Sequence, residues 1–448
     1  MLNLKKICLS SSIFLFLAIP FSASAQNTTV LQVKGQGVKD KAVLVDGTVY
    51  TKPSVLEAGK KWKIKEENQT WVVTLPSGHD KTSETVDIPK KVIDGNSYVD
   101  FSYFASQAGL SYEYNEKKKY IKLKKSKKEK NAAQDNVILL WDPDSNFSPD
   151  KPNFSEKAGR RIMSPTWGSY KELEGIHRAY NFSYLKAAKE NHYEVMPLIH
   201  NDFDPDATSA FLKDTAKIKN WASRLAAVAE VYGLPGYNID FENINLEDKD
   251  RFTQFIKTLS QPLHDAGKEL SVDITVYCEG SPNWSLCYDR KALSQWADYQ
   301  VVMGYDETPA ASQQAGSVAS YDWLDGGIKR LLQEIPPKKL VLGLPFYTRV
   351  WKGETGALRS SVLTLQYTGD YIKNHNLHPL WDKKKRQNVA SWTENGESHK
   401  VWLEDVDSLY EKIKLGESYE LAGVAYWRYG FESPDFYSAI EKKLGIQK

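Results

Sequence analysis

Gly236-Tyr237-Asn238-Ile239-Asp240-Phe241-Glu242 is the stretch that decides how the rest of the chain is read. It follows the turn Gly233-Leu234-Pro235-Gly236 and then alternates, with Tyr237, Ile239 and Phe241 in one set and Asn238, Asp240 and Glu242 in the other. Successive side chains of a β-strand point to opposite faces, so the three polar groups project together. Burying two carboxyls and an amide on one inner face is costly unless they are paired or used. An edge strand with a solvated polar face fits the same pattern. A closely spaced acid pair at a strand end is also what chemistry on glycosidic bonds requires. The remaining sequence has to choose.

From Asn136 onward short apolar runs alternate with helical periods, the signature of βα units and a parallel sheet. Eight strands are predicted: Val137–Trp141, Ile162–Thr166, Glu194–Ile199, Tyr237–Phe241, Leu270–Val276, Tyr299–Met303, Leu340–Gly343 and Gly423–Tyr426. Helices are predicted at Ala210–Tyr232, Lys249–Ala266, Trp323–Glu334 and Pro434–Leu444. Eight such units in residues 136–448 fit an α/β fold, a (β/α)8 TIM barrel, which typically needs about 250 residues. The surplus falls mainly in Lys352–Glu420, read as an α+β insertion between strands seven and eight. Active residues of such barrels sit at the C-terminal ends of the strands, which puts Asp240 and Glu242 at the end of strand four.

Other strand ends carry compatible groups. Strand six ends in Met303-Gly304-Tyr305-Asp306, strand eight in Tyr426-Trp427, strand two in Thr166-Trp167 and strand three in His200-Asn201-Asp202. Taken singly each is weak, and Trp167 alone reads more naturally as core.

The chain has a formal net charge of +2. Residues 1–25 read as a secretory signal, with Lys5 and Lys6, the apolar run Ile13–Pro20 and the small-residue site Ala23-Ser24-Ala25. Those two lysines account for the whole excess, which argues against a nucleic-acid partner. No later apolar run is long enough to span a bilayer, so no membrane association is expected once the signal is removed. Cys278 and Cys287 remain, close enough in sequence for a disulfide in an exported chain, with two free thiols as the alternative. The eight His show no paired spacing, so neither a metal nor another cofactor is expected.

Residues 26–123 form a separate small α+β unit with a weak internal repeat, Val43–Tyr50 recurring as Val92–Tyr98. Asp46-Gly47 and Asp94-Gly95 are hairpin signals, each followed by a helix-like piece (Ser54–Gly59, Phe101–Gly109) and a second β pair. This pattern resembles the copper amine oxidase N-terminal-like domain of exported proteins, which suggests a wall-targeting module and implies no metal here. A lysine run, Lys117–Lys130, leads into a linker at 124–135, either a solvated joint or a contact with anionic wall polymers.

The motifs of 136–448 together resemble family 18 glycoside hydrolases. The family's Asp-x-x-Asp-x-Asp-x-Glu falls on Pro235, Asn238, Asp240 and Glu242, its Met-x-Tyr-Asp on Met303, Tyr305 and Asp306, and its strand-eight tryptophan on Trp427. Pro235 and Asn238 depart from the pattern, and loss of the middle aspartate removes a proton-sharing partner of Asp240. Ser281–Arg290, Gly343–Arg349 and Trp427–Glu432 resemble the bacterial branch acting on cell walls and spore cortex.

The resemblance implies a secreted β-N-acetylglucosaminidase acting on peptidoglycan as a monomer, with a chitinase or a non-catalytic glycan-binding lectin as alternatives. It implies that Glu242 is the acid, Asp240 and Tyr305 orient the substrate's acetamido group, and Trp427 packs under the sugar. Asn238, Met303, Asp306, Trp167 and Asn201 are the expected further substrate contacts.

Overall fold

The computed structural model describes residues 136–148, 153–172, 181–354 and 357–446. Ahead of residue 136 it describes ten strands between Leu15 and Lys124, with a few adjoining residues. The barrel strands are β1 (Val137–Asp142), β2 (Arg160–Ser169), β3 in two pieces (Glu194–Val195 and Leu198–His200), β4 (Gly236–Asp240), β5 (Glu269–Thr275), β6 (Tyr299–Met303), β7 (Leu340–Pro345) and β8 (Gly423–Trp427). Every neighbouring pair is parallel, and β8 returns to β1 with Val137 opposite Gly423. The expected (β/α)8 barrel is therefore formed, with all eight strands where the sequence put them.

Helices α1 (Phe182–Glu190), α2 (Pro205–Lys213), α3 (Thr215–Tyr232), α4 (Lys249–Asp265), α5 (Arg290–Trp296), α6 (Tyr321–Leu331), α7 (Leu365–Asn374), α8 (Val406–Ser418) and α9 (Phe436–Leu444) accompany them. One long helix over Ala210–Tyr232 was expected; two are found. Asp214 ends α2 and caps α3, its carboxylate accepting from the Lys217 N–H, so a side chain that competes for backbone donors makes the break. Gly233, with φ 66°, closes α3 in the left-handed region that suits glycine.

The core has two layers, and β4 shows why. Tyr237, Ile239 and Phe241 are fully buried between sheet and helices, where Phe241 stacks on Phe255 at 5.2 Å and Phe252 at 5.9 Å. Burying each such ring contributes about 2–3 kcal/mol. The inner layer holds Val137, Leu139, Trp141, Ile162, Met196, Leu198, Val301, Val341 and Ala425. Gly236 permits the approach of β4 to β5, since a Cβ there would lie 1.9 Å from the Glu269 carbonyl oxygen. At the N-terminal mouth the Arg160 guanidinium, 9% exposed, donates to Glu194 at 2.6 and 3.0 Å and to Glu269 at 2.7 Å. Three charges thus close the bottom, one guanidinium paired with two carboxylates.

Between β7 and β8 lies the expected α+β insertion, beginning at Tyr347 rather than Lys352. Its antiparallel sheet is ordered Arg359–Thr364, Tyr347–Lys352, Glu397–Trp402, Gln387–Glu394, Leu380–Asp382, with α7 beside it. Val350, Leu363, Leu377, Ala390, Val401 and Leu403 give it a core of its own. Helix α8, counted within the insertion on sequence grounds, is a barrel helix.

Four antiparallel pairs appear in the N-terminal region where β pairs were expected: Lys41–Val45 with Thr48–Thr51, Lys63–Glu67 with Thr70–Leu75, Glu84–Ile93 with Asn96–Asp100, and Ser111–Asn115 with Tyr120–Lys124. Leu15–Ala18, within the expected signal, pairs with Thr29–Val33. The helix-like pieces Ser54–Gly59 and Phe101–Gly109, and residues 125–135 of the linker, lie outside the described residues.

Candidate active site

The C-terminal ends of β4, β5, β6 and β8 converge on Asp240 and Glu242. Asn238 is fully buried inside the barrel, and all four of its amide positions are taken. Its Oδ1 accepts from Trp141 Nε1 at 2.9 Å and Ser164 Oγ at 3.3 Å; its Nδ2 donates to Ser271 Oγ at 3.0 Å and Asp273 Oδ1 at 2.7 Å. It is spent on the barrel interior, so the expected substrate contact at Asn238 is not made by its side chain.

Asp240 lies one turn of the alternation further up. Its Oδ1 is buried and meets no donor, and burial lifts the carboxyl to about 7. Glu242 stands two residues on, just beyond β4, where burial and then the neighbouring charges of Asp240 and Asp306 push it up to about 9. Near neutral pH this residue keeps its proton and can give it away.

The backbone carrying Glu242 is pinned by Asn201. The Asn201 Nδ2 donates to the Glu242 carbonyl at 2.7 Å, and its Oδ1 accepts the Glu242 N–H at 3.0 Å. Nδ2 also reaches Thr208 Oγ1 at 3.0 Å. Asn201, expected to touch substrate, instead fixes the acid's main chain. Around it Asp202, Phe203, Asn243 and Asp306 all adopt positive φ between 52° and 57°. Such backbone is sparsely populated by non-glycine residues and gathers at working sites.

Met303, Tyr305 and Asp306 follow one another at the end of β6. Val301 and Tyr305 belong to the inner layer, and Met303 shares their side of the strand. Tyr305, Trp141 and Trp427 form an aromatic wall, with Tyr305 6.4 Å from Trp427 and Trp141 6.0 Å from Trp427. Burial raises the Tyr305 phenol, which therefore stays a hydrogen-bond donor. Asp306 is exposed and accepts from Tyr347 Oη at 2.7 Å, with Arg349 at 3.5 Å.

Trp167 is not part of this assembly. It is 3% exposed and packs edge-on to Tyr184 of α1 at 5.4 Å, in the outer layer. A register shift between Thr166 and Gly168 accompanies that outward placement. The disulfide is also absent: Cys278 and Cys287 are free. Cys287 is buried and donates to the Asn283 carbonyl, while Cys278 is exposed beside Ser281 Oγ at 3.3 Å. The helical turn Pro282–Leu286 lies between them. Among the described residues no group of His, Cys, Asp and Glu could hold a metal.

Four members of the site were not singled out from sequence. Trp141 is next to last on β1, Tyr347 begins the insertion, and Tyr288 Oη donates to the Phe241 carbonyl at 2.8 Å. Asp273 on β5 is 2% exposed and receives Asn238 Nδ2 and, at 3.2 Å, Trp141 Nε1. Its signal was available: Ser271, Asp273 and Thr275 alternate with Leu270, Val272 and Ile274 just as the polar and apolar sets of β4 do.

A family model described as Glycosyl hydrolases family 18 matches residues 119–432. The chain is 29% identical over 267 residues to the uncharacterized glycosylase YvbX of Bacillus subtilis, covering 58% of this chain and 77% of that one. It is 24% identical over 258 residues to the cortical fragment-lytic enzyme of Bacillus anthracis, covering 56% of this chain and 59% of that enzyme's length. Its fold is shared with a chitinase of Chromobacterium violaceum (TM-score 0.59, 21% identity, 70% and 100% covered). The spore cortex-lytic enzyme SleL of Bacillus cereus shares it too (TM-score 0.57, 19% identity, 68% and 73% covered).

Proposed function

This chain belongs to glycosyl hydrolases family 18, and on that premise we propose that it hydrolyses β-1,4-linked N-acetylglucosamine glycans, peptidoglycan foremost, outside the cell. The observation that carries the proposal is the pair Asp240 and Glu242 at the barrel mouth, both raised toward or past neutrality. Glu242 protonates the glycosidic oxygen and later takes a proton from water. The nucleophile is the substrate's own acetamido oxygen, the arrangement noted for this family. Asp240 holds the acetamido N–H, Tyr305 donates to its carbonyl, and Trp427 packs beneath the ring.

Peptidoglycan is preferred to chitin because the relatives aligned over more than half of this chain include cortical fragment-lytic enzymes. A lectin on the same barrel has no need of a protonated acid beside a second carboxyl. Product analysis on peptidoglycan and on chitin oligomers by mass spectrometry, with early NMR of the new reducing end, tests the reading. The β anomer is expected first; an α anomer, or release from neither polymer, defeats it.

Residues 1–25 are proposed as the leader and 26–123 as a wall-targeting module joined by the basic linker. A chain beginning at Asn136 is then expected to cleave soluble oligomers at parental rate but to sediment with purified sacculi about tenfold less than the full chain, through lost effective concentration. Added salt should weaken the full chain's binding if the lysine run contributes. Equal sedimentation of both chains would make the module a spacer.

A further inference from the structure

The proposed reaction gives no task to Asp273, a carboxyl buried beside Asp240. Asp273 lies on β5, where the register sets Asn238 opposite Ser271 and Ile239 opposite Val272. Asp240 and Asp273 are therefore the next neighbours, on strands about 4.8 Å apart and both on the inward set. Asp273 is held from two sides, by Asn238 Nδ2 at 2.7 Å and Trp141 Nε1 at 3.2 Å, and Asn238 is itself locked by Ser164 and Ser271. An amide at 238 cannot exchange a proton, and its two donors go to Ser271 and Asp273 rather than to Asp240.

We propose that Asp273 is a positioning residue for the reaction, sharing one proton with Asp240 across β4 and β5 and supplying from strand five the carboxyl that strand four lacks at Asn238. The proposal rests on the glycosidase reading of Asp240 and Glu242. The titratable groups whose charges act on Asp273 are Asp240 on β4, Glu242 just beyond it and Tyr305 just beyond β6. Adjacent carboxyls screened from water do not both ionise; they titrate as a pair that keeps one proton. As Glu242 gives its proton to the leaving oxygen, the acetamido oxygen bonds to C1 and the bond between C1 and the leaving oxygen breaks. Positive charge then gathers on the new ring, whose N–H Asp240 holds. Asp240 stabilises that ring best as a carboxylate, so the shared proton passes to Asp273 and returns when water opens the ring. The pair gains and loses no proton overall.

Asp273→Asn keeps the shape and one acceptor but cannot share the proton. On N-acetylglucosamine oligomers its kcat is expected to fall about 10–100-fold with KM within about threefold. The alkaline limb of kcat/KM should move to higher pH, because the pair's single negative charge, divided between two strands in the parent, then sits wholly on Asp240 beside Glu242. The double variant Asn238→Asp, Asp273→Asn, which returns a carboxyl to strand four, should recover about tenfold. Parental kcat in Asp273→Asn, or a loss of kcat with an unmoved limb and no recovery, overturns the proposal. Infrared spectra without substrate give a readout independent of turnover: protonated-carboxyl absorption at neutral pH should be weaker in Asp273→Asn than in the parent. Equal absorption overturns the shared proton even if the parent cleaves no N-acetylated glycan, an outcome that would separately defeat the functional reading.

Discussion

Glu242→Gln is expected to lower kcat by about 10³-fold or more while glycan affinity stays within about threefold, since only the transferable proton is removed. The swap is nearly isosteric, and the Asn201 clamp grips the main chain, which the substitution leaves alone. Stability should rise at the same time. Between about pH 4.5 and pH 9 the folded protein keeps a proton on Glu242 that the unfolded chain has released. That raised value contributes stability fully below the lower limit, and the contribution is lost as pH climbs to the upper one. Glutamine has no such dependence, so at about pH 8 the variant should melt at least about 2 °C higher than the parent. Turnover within tenfold of the parent, measured alongside equilibrium binding of an oligomer, would remove Glu242 from the role of acid. A lower melting point would instead contradict the buried, proton-holding environment.

Asp240→Asn comes next in size, with an expected loss of about 10²-fold in kcat, because the group that orients the internal nucleophile is changed. The more telling measurement compares two glycans, one with the 2-acetamido group and one with a hydroxyl in its place. The parent should prefer the first strongly, while Asp240→Asn should narrow that preference, since the residue acts through the acetamido N–H. A preference undiminished in the variant would mean that Asp240 serves some other part of the substrate. Both expectations follow from where the carboxyl sits: its Oδ1 is buried and meets no donor, so an N–H from a ligand would satisfy that oxygen.

The strands of the barrel were legible because parallel strands buried on both faces read as short apolar runs, and Gly236–Glu242 interrupts that rule visibly. Asp240, Glu242, Tyr305 and Trp427 share one rim because each lies at a strand end or two residues beyond it. Trp167 also stands near a strand end, yet the register shift beside it sends the ring outward, and no pattern of residue types announces such a shift. The break between α2 and α3 was hidden for a related reason: Asp214 acts as a cap through its side chain, without the glycine or proline that marks most interruptions. Asn201 and Asn238 carry the right chemistry for sugar contacts, and only the geometry reveals that their amides are already committed. Asp273 was missed by attention to motifs, although its strand repeats the alternation of β4.

The Arg160, Glu194 and Glu269 cluster gives the barrel a floor, and this has a consequence for exchange with bulk water. Above it, Ile162, Met196, Leu198, Val301 and Val341 fill the lumen. Hydronium and hydroxide are therefore expected to reach Asp240, Glu242 and Asp273 from the rim, which a saccharide bound there as proposed would cover. The acidity of the medium should set the charge of the trio before the glycan arrives and then be shut out until it leaves. On that view the Michaelis complex is a sealed vessel, its ionisation inherited from the moment of capture.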